Sequence, residues 1–343
     1  MRRAPLNAIT LDDMNHYTKN HNVSMNRRRL AIAILSALSL VSLRAHAEAW
    51  QPSPGHAQLP IWSGVIPDAQ PAAGLEVVTT VESDESVAGR PWLWVERVSQ
   101  PTITVYSPKG SNTRVGVVVF PGGGYQGLAI DLEGTEVCDW LTSKGITCVL
   151  LKYRVPNTGH HWDQQLKRYV NPRAPMALED AQRAIGLVRL HAAEWHIDPH
   201  KIGVLGFSAG GHLVAQTSTY SERVYPVVDA ADKESCRPDF AVALYPGHLW
   251  IERDKFELNQ EIAVRISRKT PPTFLLYAED DDVDNVNHGL VYYIALKDAS
   301  VPVEMQLYAK GGHGFGLRPT AQPITRWPTL VEAWLATIGM TTK

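Results

Sequence analysis

Six consecutive apolar residues, Val115-Gly116-Val117-Val118-Val119-Phe120, constrain the fold of this chain more than any other feature. A strand with no polar residue in either alternate set is buried on both faces, which is the situation of a parallel sheet covered on each side by helices. Short runs of the same kind recur at Thr102 to Tyr106, Cys148 to Leu151, Ile202 to Phe207, Phe240 to Tyr245 and Thr273 to Tyr277. Between most of them lie stretches with helical spacing, and Leu178, Ala181, Ile185, Val188, Ala192 and Trp195 make one three-four stripe. The alternation predicts an α/β fold with a mostly parallel central sheet and helices on both faces. Val303 to Tyr308 alternates apolar and polar residues instead, which suits a sheet edge with one wetter face, and Pro328 to Met340 reads as a closing helix.

The rest of the chain fits one large enzyme-sized domain. With 44% hydrophobic and 20% charged residues in 343, and neither repeat nor low-complexity tract, it can bury roughly 75% of its unfolded surface and needs no disulfide scaffold. A net charge of −2 gives no electrostatic reason to expect a nucleic-acid partner. Asn26-Arg27-Arg28-Arg29, an apolar run from Leu30 to Leu43 and then Ala45-His46-Ala47 read as a secretory signal cleaved after Ala47, with Met25 the better start. That run is short of the roughly 20 residues needed to span a bilayer, so a periplasmic or secreted product with no stable membrane insertion is expected. The resulting organisation is 1–47 N-terminal extension and signal peptide, 48–90 an extended lead-in that wraps the surface, and 91–343 the catalytic domain. Cys138 and Cys148 lie in apolar segments and read as small buried hydrophobes rather than a disulfide, which leaves Cys236 as an odd third. No C-x-x-C or H-E-x-x-H spacing exists, and the adjacent His160 and His161 do not both face one metal from an extended loop, so no metal is expected.

The chemistry lies where the apolar runs end. Gly206-Phe207-Ser208-Ala209-Gly210 follows the run Ile202 to Phe207 and precedes helix-like Gly211 to Ala215. The bare pentapeptide is compatible with an ordinary turn, but this strand-turn-helix setting forces the serine into a cramped backbone conformation and projects its Oγ beyond the sheet. Ser208 is therefore the expected nucleophile. Its hydroxyl needs a base, and in hydrolases built on this turn the order is serine, acid, histidine. Downstream of the acidic cluster Glu279-Asp280-Asp281-Asp282 only His288 and His313 remain. His288 follows too closely, inside a helical stretch from Val286 to Lys297, whereas His313 sits in the glycine-rich loop Gly311 to Gly316 after the last strand. His313 is the expected general base. One of the clustered carboxylates should orient it while the others stay solvated. Pro121-Gly122-Gly123-Gly124-Tyr125 follows the buried run ending at Phe120, and the N–H groups of Gly123, Gly124 and Ala209 are the expected oxyanion hole. A phosphate cradle is disfavoured because no G-K-[ST] follows and Asp131 and Glu133 are acidic.

Together, Phe120 to Tyr125, Gly206 to His212, Tyr277 to Asp281 and Lys310 to Phe315 resemble the α/β-hydrolase family of bacterial acetyl xylan and feruloyl esterases, over roughly Pro101 to the C-terminus. Pro121 and Tyr277 stand where many relatives carry histidine. The resemblance implies an α/β-hydrolase fold and cofactor-free hydrolysis of carboxylic esters, often acyl decorations of plant polysaccharide. In its frame the acid comes four residues after the Tyr277 position, with a valine soon after, which selects Asp281 beside Val283.

The long segment Pro156 to Pro175, with Trp162, is expected to wall a substrate pocket together with Tyr125 and Trp250. The short connection from Tyr245 to Thr273 leaves no room for a large lid, which favours short acyl groups. Two other functions fit the same motifs: a prolyl-oligopeptidase-like serine peptidase, for which the lead-in is too short to supply the usual extra domain, and a non-catalytic binding module, which would be expected to lack a catalytic group.

Overall fold

The computed structural model describes residues 49–70, 74–82, 86–155, 161–163, 168–170, 174–250 and 255–342. The expected signal peptide lies outside the described residues. Along the chain run strands β1 (Gln58–Pro60), β2 (Val77–Val81), β3 (Trp92–Glu96), β4 (Thr102–Tyr106), β5 (Gly116–Phe120) and β6 (Gly127–Ala129). Helix α1 (Glu136–Ser143), β7 (Thr147–Lys152), β8 (His161–Asp163), β9 (Arg168–Val170), α2 (Pro175–Leu190), β10 (Ile202–Phe207) and α3 (Ala209–Thr219) follow. The chain closes with β11 (Phe240–Leu244), α4 (Gln260–Ala263), β12 (Thr273–Ala278), α5 (Asn287–Asp298), β13 (Val303–Tyr308) and α6 (Trp327–Thr337).

Eight strands form the central sheet in the order β1-β4-β7-β5-β10-β11-β12-β13. From β7 to β13 every neighbouring pair is parallel, and β4 runs antiparallel to both β1 and β7. The wholly apolar runs became the interior strands, and every residue of β5, β7, β10, β11 and β12 is buried. β13 is the sheet edge, with all its residues at least partly exposed. Phe207 packs its ring on Trp327 of α6, while the neighbouring Gly206 lies against the backbone of Gly210 in α3. Successive strand residues point to opposite faces, so α3 and α6 cover opposite sides of the sheet. α1 joins α6 through the Trp140 indole, which stacks edge-on against Trp327 and donates to Glu332.

The 48–90 segment contributes β1 to the central sheet and β2 to a three-stranded sheet with β3 and β6. Buried polar contacts tie it down. The Trp62 indole N–H donates to Asp180 at 2.8 Å, Arg183 donates to the Ile61 carbonyl, and Lys152 pairs with Glu76 at 2.7 Å. Arg154 meets Glu179 and Asp180 in the same layer, so each buried charge there has a counter-charge.

One reading from the sequence is corrected. Cys138 and Cys148 are joined as a disulfide, with Cα atoms 5.1 Å apart, and Cys236 alone is free. Both cysteines lie in apolar segments, as the sequence indicated. The tight turn from α1 into β7 then lays the helix face on the strand, so two buried thiols become neighbours.

Candidate active site

The chain leaves β5 toward β7 on one side and β10 on the other, and such a switch point opens a crevice beyond the carboxyl ends of parallel strands. The loops after β5, β10, β11, β12 and β13 all meet there, around a cavity of about 810 Å³ lined by Ser208, His313, Asp281, Gly123, Gly124 and Trp250 among others.

Ser208 is the residue between β10 and α3, and its backbone has φ 50° and ψ −119°. A non-glycine residue rarely adopts that region, and it persists only where its neighbours hold it. The two flanking glycines explain how. A Cβ on Gly206 would meet the Gly210 carbonyl oxygen at 2.3 Å, and one on Gly210 would meet that of Phe120 at 2.1 Å. Strand and helix can therefore close on the turn only if both positions lack side chains.

His313 stands on the loop after β13 and bridges two partners. Its Nε2 is 3.0 Å from Ser208 Oγ and its Nδ1 is 2.7 Å from Asp281 Oδ2. Of the four clustered carboxylates, Asp281 is the one that is buried and reaches the ring. Its other oxygen accepts the backbone N–H groups of Val283 and Asp284 at 3.0 and 2.9 Å, so the carboxylate is fixed from both ends. Asp282 is exposed. Asp280 is exposed as well but does more than stay wet, because its Oδ1 accepts the N–H groups of Gly311 and Gly312 and so pins the histidine loop. Those bonds and the nearby Lys310 hold the Asp280 carboxyl below its ordinary range. Burial alone would lower the His313 pKa, but the hydrogen bond and charge of Asp281, with the charges of Asp284 and Glu133, leave it raised above the ordinary value.

Gly123 and Gly124 line the cavity with φ 137° and 59°. The N–H of Gly122 is already committed to Glu133 Oε2 at 2.8 Å. Ala209 is buried as the first residue of α3, where helix N–H groups converge. Backbone N–H groups with no partner inside the fold, if they converge on one point, can stabilise an oxygen that gains negative charge, which is the role proposed below for Gly123, Gly124 and Ala209.

Sequence reasoning missed three groups here. Glu133 is buried and accepts both the Gly122 N–H and the Tyr245 hydroxyl at 2.8 Å, and burial raises its pKa despite those bonds. Asp284 Oδ2 lies 3.4 Å from Ser208 Oγ and 3.9 Å from His313 Nε2, and burial pushes its carboxyl up to about 6. His288 lines the cavity from α5. Asp284 sits just past the acidic run, so its position was in view, but no local pattern marks a carboxylate that will be buried. The aromatic expectations divide. Trp250 lines the cavity, with Trp92 and Trp94 of β3 beside it. Tyr125 does not: it is 3% exposed, has a positive φ of 58°, and its hydroxyl is bonded to His212 Nδ1 at 2.8 Å inside the core. Trp162 belongs to β8, whose backbone alone is described, and most of 156–173 lies outside the described residues.

A strained serine at a strand-to-helix turn, with an acid and a histidine on later loops of a mostly parallel sheet, defines an α/β-hydrolase. Comparison with known proteins narrows the class. Residues 103–245 match the family model described as BD-FAE. An acetyl ester-xyloside bifunctional hydrolase from Caldicellulosiruptor lactoaceticus is 31% identical, with a TM-score of 0.65 over 83% of this chain and 97% of that one. A thermophilic esterase from Thermogutta terrifontis, 22% identical, shares the fold with a TM-score of 0.59 over 71% of this chain and 89% of its own. The acetylxylan esterase of Xylanibacter ruminicola is 32% identical over 58% of this chain, which spans only 41% of that relative's length. The chain belongs to the α/β-hydrolase family of bacterial acetyl xylan and feruloyl esterases.

Proposed function

We propose that this protein is a serine carboxylesterase that hydrolyses short-acyl esters through Ser208, His313 and Asp281, and that its substrates are acetyl or feruloyl esters on plant polysaccharide. The observation that carries the reading is the bridge made by His313 between Ser208 Oγ at 3.0 Å and Asp281 Oδ2 at 2.7 Å. Ser208 attacks the ester carbonyl while His313 Nε2 takes its proton, and Asp281 holds the ring and stabilises the imidazolium. The N–H groups of Gly123, Gly124 and Ala209 receive the oxyanion. His313 then returns the proton to the leaving alcohol, and a water activated by the same ring releases the acid. The polysaccharide assignment is supported by the names of the acetylxylan esterase and the xyloside hydrolase to which the chain is similar. Short acyl groups are favoured because, among the described residues, only the four-residue α4 lies between β11 and β12.

The experiment is turnover of p-nitrophenyl acetate beside its amide analogue, with acid release from acetylated and feruloylated xylan. Ester-only turnover is expected. Amide turnover would favour a peptidase, and no turnover of either a binding module. Ser208→Ala should lose about a millionfold in kcat and all labelling by a fluorophosphonate probe. We propose further that residues 1–47 direct export to the periplasm or medium, so that the mature protein begins at Glu48, which N-terminal sequencing of the exported product tests.

A further inference from the structure

Asp284 and His288 face the same cavity from the start of α5 and the turn before it, and the hydrolytic steps above use neither. The proton on His288 can be located from its surroundings. Nδ1 accepts two backbone N–H groups, from Leu249 at 3.0 Å and Trp250 at 2.8 Å, so it carries no hydrogen of its own. Burial lowers the His288 pKa to about 4 against the opposing charge of Asp281, so the ring is neutral at ordinary pH and its single proton is on Nε2. Nε2 lies 4.0 Å from Asp284 Oδ1, too far for a direct hydrogen bond. The carboxylate packs closely over Gly247, where a Cβ would meet both of its oxygens at 2.6 Å, so the glycine leaves room for it and bounds it on that side.

A donor and an acceptor at this separation suit a group that both accepts and donates, and on an ester substrate that group is a hydroxyl. A hydroxyl oxygen about 2.8 Å from each would accept from His288 and donate to Asp284. An ether or a hydrogen in its place offers Asp284 Oδ1 no donor from the substrate, and a carboxylate product is repelled. The location selects which hydroxyl. The second Asp284 oxygen is 3.9 Å from His313 Nε2, the atom that hands its proton to the leaving alcohol, and 3.4 Å from Ser208 Oγ. A carboxylate so placed is incompatible with a forming oxyanion but suits the alcohol half of the ester, on the carbon next to the esterified one. Trp250, whose indole N–H is tied to the Lys255 carbonyl, and Trp94 supply apolar walls for a saturated ring beside that position.

We propose that Asp284 and His288 form a hydroxyl-recognition pair that selects esters whose alcohol bears a free hydroxyl adjacent to the esterified carbon, as in a monoacylated vicinal diol of a sugar ring. The inference rests on the esterase reading above. Its test compares kcat/KM for trans-2-hydroxycyclohexyl acetate, trans-2-methoxycyclohexyl acetate and cyclohexyl acetate, in wild type, Asp284→Leu and His288→Leu. The wild-type enzyme should prefer the hydroxy ester over both others by roughly ten- to hundredfold, the range of a hydrogen bond to a charged group. In both variants that preference should fall toward unity, whatever happens to the absolute rates. A residue acting only through His313 would lower all three rates together and keep the preference, and that result overturns the proposal. Equal wild-type turnover of the three esters overturns it without touching the esterase reading, whereas no turnover of any of them removes both. The wild-type comparison stands even if a variant fails to fold.

Discussion

Asp280 and Asp281 are neighbours in sequence and hold His313 in two different ways: Asp281 Oδ2 is bonded to the ring at 2.7 Å, and Asp280 Oδ1 accepts the Gly311 and Gly312 N–H groups at 2.8 and 2.9 Å. One carboxylate acts on the imidazole and the other on the loop that carries it.

That division predicts a graded series. Asp281→Asn should lose about ten-thousandfold in kcat, because the ring loses the acceptor that sets its tautomer and the charge that stabilises it. Asp280→Ala should lose about tenfold, since the loop shifts but the ring keeps its partner. Asp282→Asn, at an exposed position, should stay near wild type. Turnover of p-nitrophenyl acetate by variants shown to be folded decides the order, and a collapse at Asp280→Ala with Asp281→Asn spared would place the acid one residue earlier.

Glu133 and Tyr245 form a buried support for the glycine turn after β5. Glu133→Ala frees the Gly122 N–H and leaves the Tyr245 hydroxyl without its acceptor. Loss of a buried partner costs about 1–3 kcal/mol of stability, and a displaced oxyanion donor costs up to about a hundredfold in kcat. Thermal unfolding should detect the first effect. The second should appear as a lower kcat with little change in KM, since the turn acts on the transition state and not on ground-state binding.

The pH profile follows from the raised His313 pKa. A general base works only when deprotonated, so kcat/KM for a neutral ester should rise with pH along a limb centred above the ordinary histidine value of about 6.5. The Asp284 carboxylate, 3.9 Å from Nε2, favours the imidazolium, so Asp284→Asn should move this limb to lower pH. A limb that stays in place or moves upward would show that Asp284 carries no charge there in the range measured.

The cysteines give a simple count. Alkylation of the unfolded, unreduced protein should modify Cys236 alone, and reduction should raise the number to all three. Replacing Cys138 and Cys148 by serine together removes a cross-link of ten-residue separation, which should cost about 2–3 kcal/mol on chain-entropy grounds. Three modified cysteines without reduction would refute the pairing.

The sheet was legible in the sequence because burial on both faces leaves a one-dimensional trace: each wholly apolar run, from Val115 to Phe120 through Thr273 to Tyr277, became an interior strand of the central sheet. The strained turn at Ser208 was legible for a similar reason, since the close approaches around it require glycine at 206 and 210 and so write themselves into a short motif. What the local sequence does not encode is which distant polar groups will be brought together out of water. Glu133 follows a glycine-rich turn and Asp284 follows a run of solvated acids, and nothing next to either distinguishes it from a surface carboxylate. Their burial, the tautomer of His288 and the inward turn of Tyr125 arise only when loops from five strands converge beyond the carboxyl ends of the sheet, and the pairing of Cys138 with Cys148 arises only when α1 packs back on β7. There the low dielectric makes each polar neighbour count, and the fold alone sets which neighbours those are.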